Sequence, residues 1–401
     1  MKTSFQPSRR WALKLGGLCS ISYLAVYVAR NVLGTVSPQM IASGRFTTEG
    51  IGNLSSIFFI TYAVGQLING FIGDRIRPKY MICIGLILGG LGNLVFTIPN
   101  VSTDSAYVGY ALTGFFLSML FAPLIRILSE NTQTPYTTRC ALGLTVASFF
   151  GSVVAGILAA FLLWRGVFAF SSLALLIMGI VCFLLMTLWE RQGNLQYANV
   201  NTNNREKGSI RTLLNHRIIL YTIISVLTGI IRTTVVFWMP TYLSQHLGFS
   251  PDIAALLFTG ASVIIMLSAF LAEWLYSLLK YRMELTVMVA FSASAICFLL
   301  VYLLTVPVLN ITFLILAITF SNCAASLLWN RYCPSLKDTG MVSSATGFLD
   351  FMSYMAASVS STVFANAVAD IGWGYLILIW FGLMIIGCIA CLLRKRTSHT
   401  A

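Results

Sequence analysis

Apolar residues in this chain gather into long blocks and do not alternate with polar ones. The blocks lie at about 11–40, 48–73, 79–99, 104–128, 138–163, 166–189, 217–247, 251–279, 284–306, 309–333, 340–369 and 373–393. A helix needs roughly 20 predominantly apolar residues to cross the hydrocarbon of a bilayer. None of the blocks has the two-residue period of a barrel strand, and a helix satisfies its own backbone hydrogen bonds in lipid. The pattern predicts an all-α membrane protein with twelve transmembrane helices. Most connections are short, but 191–216 is polar and rich in asparagine, glycine and charge. A long polar break at mid-chain divides the helices into two bundles of six, with an N-terminal bundle over 1–190, a cytoplasmic linker over 191–216 and a C-terminal bundle over 217–401.

Composition supports this. The chain is 58% hydrophobic and 9% charged, with a mean hydropathy of +0.85, whereas a soluble domain carries about 25% charged residues. The net charge of +13 belongs to loops, not to a nucleic-acid face. With the N-terminus cytoplasmic, 21 of the 25 Lys and Arg residues fall inside, Arg45 and Arg165 fall outside, and Arg30 and Arg232 fall within spans. Both termini are therefore expected on the cytoplasmic side of the inner (plasma) membrane. Ser8-Arg9-Arg10 faintly resembles a twin-arginine signal but reads better as a basic anchor before the first span. The nine cysteines all fall in or beside apolar runs and imply no disulfide framework. Cys388-Ile-Ala-Cys391 lies in an apolar helix with no histidine nearby, so no zinc or redox role follows. The histidines His216, His246 and His399 are isolated, and no phosphate-binding loop or catalytic constellation appears. No cofactor and no enzymatic activity are expected.

Two arginines change the picture. Arg30 lies inside the run 15–36 and Arg232 inside 218–239, each eight residues before a proline, Pro38 and Pro240, at an offset of 202. An intramembrane arginine costs roughly 2.5 kcal/mol or more and needs a partner or a function. At 1.5 Å per residue from the charged cytoplasmic edge, both sit about 22–24 Å deep. Other pairs repeat in order: Phe121-Ala-Pro-Leu-Ile-Arg126 with Tyr332-Cys-Pro-Ser-Leu-Lys337, and Trp164 with Trp373. Repeated halves are common in transporters. Two matching arginines point to a pseudosymmetric cavity that attracts an anion, and guanidinium suits carboxylate or phosphate. Tyr23 and Tyr27 share the face of Arg30, and Ser225 and Thr228 that of Arg232, so these faces are expected to line water or substrate. Asp350 is the counterweight: it either neutralises an arginine as a static counter-ion or exchanges a proton as substrate binds. Glu273 reads as a helix-end charge facing Lys280 and Arg282. Asp74, at the end of the second span, is a candidate conformational latch with Arg75.

The stretch Gly70-Phe-Ile-Gly-Asp74-Arg75-Ile-Arg77-Pro78-Lys79 resembles the signature loop of the major facilitator superfamily. Its Asp-Arg-x-x-Pro-Lys pattern is similar to the organophosphate:phosphate antiporters, the glycerol-3-phosphate and hexose-phosphate transporters. Arg30 with Pro38, Arg232 with Phe237-Trp-Met-Pro-Thr-Tyr-Leu243, and Ala345 through Tyr354 followed by Gly372-Trp373 fit the same family. The resemblance implies two six-helix halves that rock to give alternating access, with Arg30 and Arg232 gripping an anionic headgroup. It also carries departures. The glycerol-3-phosphate transporters have lysine where this chain has Gln66, histidine at Phe150, lysine at Asn31 and glycine at Asp350. The site is less cationic than theirs, which admits a monoanion or a mixed-charge substrate beside a phosphate ester.

The expected function is secondary transport of a small anionic metabolite, phosphorylated or a carboxylate, by a monomer in the lipid bilayer. Inorganic phosphate or protons are the candidate counter- or co-substrates. Proton symport of a carboxylate or zwitterion, or a non-transporting receptor with the same fold, are the alternatives. Tyr27, Tyr62, Gln66, Trp238, Asn322 and Tyr354 are candidates to line the site by polarity and position.

Overall fold

The computed structural model describes residues 9–73, 76–197, 216–336 and 342–392. These residues are helical with short turns. The spans are α1 (Arg9–Ala42), α2 (Thr48–Gly73), α3 (Pro78–Leu94), α4 (Thr103–Leu117 and Phe121–Asn131), α5 (Thr134–Phe161) and α6 (Trp164–Arg191). They continue as α7 (Ile218–Gly229, then Val236–Gln245), α8 (Pro251–Met266 and Ser268–Leu278), α9 (Met283–Leu303) and α10 (Pro307–Leu327). Val342–Leu392 is continuous except at Gly372, with φ 79° and ψ 172°. That left-handed φ is open to glycine and strained for other residues. It divides the stretch into α11 (342–371) and α12 (373–392). Ten described helices are long and apolar enough to cross a membrane. Gly372 divides one of these into two, and α5 has a shorter described apolar stretch, Val146–Phe161. Twelve spans result, matching the twelve apolar blocks.

The helices pack into two compact units that do not follow the chain in simple halves. One holds 1–204 with 237–263, and the other holds 205–236 with 264–401. In the first, α1 lies along α5 and α6, α3 along α6 and α4, and α2 along α4. In the second, α9 packs on α10 and on the α11–α12 stretch, which also covers the first half of α7.

Large apolar side chains line the outside, as lipid requires: Leu163 is 80% exposed and Phe270 74%. Polar side chains turn inward, including Ser22, Thr113, Ser171, Ser225 and Ser294, all fully buried. Small hydroxyls let helices approach closely and hydrogen-bond across the contact. Asn93 Nδ2 donates to Ser171 Oγ at 2.8 Å, and Ser294 Oγ to the Ala317 carbonyl at 2.8 Å.

Three helices depart from α geometry. Two segments, Ile230–Val235 in α7 and Leu328–Tyr332 in α10, are π-helical. The third departure is the turn at 118–120 that interrupts α4. The offset of 211 that aligns Phe121 with Tyr332 carries 118–120 onto 329–331, so the breaks in α4 and α10 occupy equivalent places. The π segment of α7 has no such counterpart: α1 is a regular α-helix from Arg9 to Ala42.

Candidate anion site

Arg30 projects from mid-α1 and is half-buried. Its guanidinium lies over two tyrosine rings, 5.1 Å from the Tyr27 centroid and 5.2 Å from that of Tyr62. Nη1 donates to the Tyr27 hydroxyl at 3.4 Å. Tyr27 comes from the same helix one turn earlier, while Tyr62 comes from α2. Both rings are themselves held. Tyr27 stands edge-on to Tyr23 at 4.9 Å, and Tyr62 stacks on Phe58 at 5.9 Å. Asn31 Nδ2 donates to the Tyr27 carbonyl at 2.7 Å. A cation against a desolvated aromatic face gains about 0.5–2 kcal/mol. The arrangement fixes the orientation of the planar fork. Gln66 is half-buried one turn beyond Tyr62 on α2. Tyr110 on α4 is fully buried and lies within electrostatic reach of Arg30; nothing in its sequence context marked it.

Arg232 sits inside the π segment of α7. Its guanidinium carbon is 6.0 Å from the ring centroid of Tyr354 on α11. The segment is tied to α11 by Thr234, whose Oγ1 donates to the Ala357 carbonyl at 3.2 Å and shares a hydrogen bond with Ser360 Oγ at 2.8 Å. Asp350 lies one turn before Tyr354 on α11, and its charge is felt at the Cys333 thiol near the end of α10. Asn322 is buried on α10, which packs on the π segment, and its Oδ1 accepts no hydrogen bond among the described residues.

Each arginine is thus grouped with a tyrosine from a neighbouring helix of its own unit. Trp238 is placed differently. It is fully buried in 237–263, which belongs to the unit of Arg30, and meets Phe237 edge-on at 5.3 Å. Ser225 and Thr228 do not line water. Both are buried, with Ser225 Oγ donating to the Leu349 carbonyl at 2.7 Å and Thr228 Oγ1 to that of Ile224 at 2.7 Å. They are helix-packing groups, because a hydroxyl facing another helix finds a carbonyl there sooner than it finds solvent.

Glu273 also departs from expectation. It takes Arg331 of α10 through two bonds, at 3.1 Å from Nε and 2.6 Å from Nη2, and not Lys280 or Arg282. The bidentate fork outcompetes a flexible lysine for a carboxylate. Asp74 and Arg75 lie outside the described residues. Two later members of their motif are described: Lys79 is buried and paired with Glu190 of α6, and Arg77 reaches the same carboxylate at 2.9 Å.

Comparison with known proteins bears on these positions. The membrane sensor protein UhpC of Salmonella typhimurium is 26% identical over 247 residues, covering 57% of this chain and 56% of that protein. The glycerol-3-phosphate transporter of Bacillus subtilis is 24% identical over 255 residues, 58% of this chain and 57% of that protein. These alignments span little more than half of either relative. Among solved structures, a D-xylose-proton symporter superposes with a TM-score of 0.72 at 14% identity, covering 97% of this chain and 98% of that one. That likeness concerns the fold alone. The model of the Major Facilitator Superfamily matches residues 19–361, and with twelve helices and most of its length in that match the chain belongs to the Major Facilitator Superfamily.

Proposed function

We propose that this chain is a secondary transporter that moves a small organic anion across the inner membrane by alternating access. The observation that carries it is the pair of arginines buried at membrane depth, one per unit, each set against a tyrosine from a neighbouring helix. A guanidinium held flat in this way presents its donors in a fixed fork, which matches a carboxylate or phosphate. In the proposal Arg30 and Arg232 grip the anion, while Tyr27, Tyr62, Gln66, Asn322 and Tyr354 line the site around it. Trp238 backs the wall from its buried position. The moving bodies are the sequence halves 1–190 and 217–401, joined by 191–216, with both termini cytoplasmic. Asp350 tunes the charge of the site or carries a coupling proton, and inorganic phosphate is the counter-substrate if the exchange is antiport. The protein acts as a monomer.

A second reading is favoured by one comparison: UhpC is described as a membrane sensor. In that reading the anion binds and the chain signals without flux. Purified protein in proteoliposomes separates the two. Accumulation of labelled glycerol 3-phosphate, inorganic phosphate or a small carboxylate, lost in Arg30→Lys and Arg232→Lys, is the expected result. Saturable binding with no flux would sink the transporter reading and leave the sensor.

A further inference from the structure

We propose that residues 237–263, the outer half of α7 with the first part of α8, form a hinged hairpin that gates the outer side of the site. The purpose of the gate rests on the transport reading above; the hinge rests on geometry.

The chain passes from one compact unit to the other between Val236 and Phe237, and returns between Val263 and Ile264. Both crossings fall beside a defect in a helix. The first follows the π segment Ile230–Val235. The second precedes the break at Leu267, which separates Pro251–Met266 from Ser268–Leu278. A third weakness lies at the first crossing. Pro240 is inside the helix and has no N–H, so it cannot donate to the carbonyl of Val236, four residues earlier. Regular helices transmit force as rods, and bends concentrate at prolines and π-bulges. Two helices weakened at the places where the chain changes unit behave as a hairpin on two pivots.

The hairpin's contacts within its own unit are of the kind that part readily. Ser37 Oγ on α1 and Thr241 Oγ1 share a hydrogen bond at 2.6 Å, and Gln245 Nε2 donates to Thr48 Oγ1 at 3.3 Å. The remaining surface is close apposition over glycine. A Cβ on Gly34 would stand 2.9 Å from Phe237 Cδ2, and one on Gly156 would stand 2.0 Å from Thr259 Oγ1 and 3.2 Å from the Ala255 carbonyl oxygen. No ion pair recorded among the described residues crosses this seam.

The π segment joins gate to ligand. It contains Arg232 and is tethered by Thr234 to Ser360 and Ala357. A π-bulge holds one extra residue, and π-bulges recur at functional sites. Its conversion to α geometry advances the following helix by about 1.5 Å and turns it by about 100°. An anion that pulls on Arg232 therefore acts on the pivot itself.

The test uses the full chain in lipid nanodiscs, with spin labels at Ser250 and Glu49 in one sample and at Ser250 and Val308 in another. Gly156→Val wedges the seam without any ligand, and Gly34→Val is a second wedge should the first fail to fold. The hinge predicts that either wedge lengthens the Ser250–Glu49 distance and also changes the Ser250–Val308 distance. Deleting Thr233, which heals the bulge into an α-helix, should suppress the second change. If Ser250–Glu49 lengthens while Ser250–Val308 stays fixed, α7 and α8 move as rods and the hinge is wrong, with the transport reading untouched. If neither distance moves, the seam is not a gate. Uptake assays judge the transport reading separately.

Discussion

Replacing Tyr62 tests whether aromatic faces set the competence of Arg30. Tyr62 is 2% exposed, stacks on Phe58 and carries the Arg30 guanidinium at 5.2 Å from its centroid. Tyr62→Phe keeps the ring and the stack and removes only the hydroxyl. Tyr62→Leu removes the aromatic face. A buried cation–π contact contributes about 0.5–2 kcal/mol, and every 1.4 kcal/mol is about tenfold in affinity. The leucine variant should therefore bind the anion about 2- to 30-fold more weakly, by loss of the orientation of the fork. It should also lose about 1–3 kcal/mol of stability through repacking against Phe58. The phenylalanine variant should bind within about twofold of wild type. Titration calorimetry on detergent-purified protein reads the affinity, and thermal unfolding without ligand reads the stability. Equal losses in both variants would show that the hydroxyl, not the ring, matters. Wild-type affinity in Tyr62→Leu, despite reduced stability, would refute the claim that the ring positions Arg30.

Other perturbations probe the rest of the molecule. Asp350→Asn should abolish proton-driven accumulation in proteoliposomes but spare counterflow exchange, and an unchanged response to pH would end a coupling role. Thr234→Val removes the hydroxyl that ties the π segment to α11; Ser360 keeps its bond to the Ala357 carbonyl at 3.1 Å, so the cost should be about 1 kcal/mol by thermal unfolding, and a loss several times larger would mean the tether holds the bulge open. Burial lowers the pKa of His246, at the end of α7. The folded state then takes up that proton less readily than the unfolded state, so stability should fall as pH drops below about 6.5. His246→Gln should flatten that dependence, and an unaltered slope would assign it to other groups. Glu273→Gln breaks an ion pair whose side chains are 49% and 43% exposed, so unfolding should shift by less than about 1 kcal/mol.

The spans were legible because lipid enforces them. A block of apolar residues that must satisfy its backbone internally has one solution, and even the turn between α11 and α12 was marked by Gly372-Trp373. Arg30 and Arg232 were legible for the same reason, since a charge at that depth is too costly to be incidental. What could not be read was partnership. Ser225 and Thr228 share a helical face with Arg232, but which neighbour that face meets is decided by the packing of α11, and α11 supplies a carbonyl at 2.7 Å. Glu273 found Arg331, 58 residues away on α10, because sequence proximity to Lys280 counts for little once helices lie side by side. Tyr110 near Arg30 is a further case: the side chain is common in such helices, and its relevance is purely spatial.

The π segment of α7 shows where a repeat in sequence stops being a repeat in structure. Arg30 and Arg232 each precede a proline by eight residues, so the two helices ought to present arginine and proline at the same relative angle. In α1 they do so through regular α geometry. In α7 a π-bulge intervenes after Arg232, and an extra residue in a turn rotates everything beyond it by about 100° relative to the arginine. Proline supplies the complementary defect in both helices, but with different outcomes. The Gly34 carbonyl that Pro38 leaves without a helical donor receives Ser37 Oγ at 2.9 Å, which repairs α1. At the matching place Met239 precedes Pro240, and methionine has no hydroxyl to donate to the Val236 carbonyl. One arginine therefore sits on a repaired, continuous rod and the other on a bulge followed by an unrepaired gap. Serine at 239 should transfer the repair. Met239→Ser is expected to stiffen α7 and to slow exchange across the membrane while leaving anion affinity within about twofold, because Arg232 and Tyr354 are untouched. Hydrogen exchange of the amides over 236–245 reads the stiffening directly. Faster exchange there, or unchanged flux with slower exchange, would show that the gap beyond Arg232 has no part in the motion.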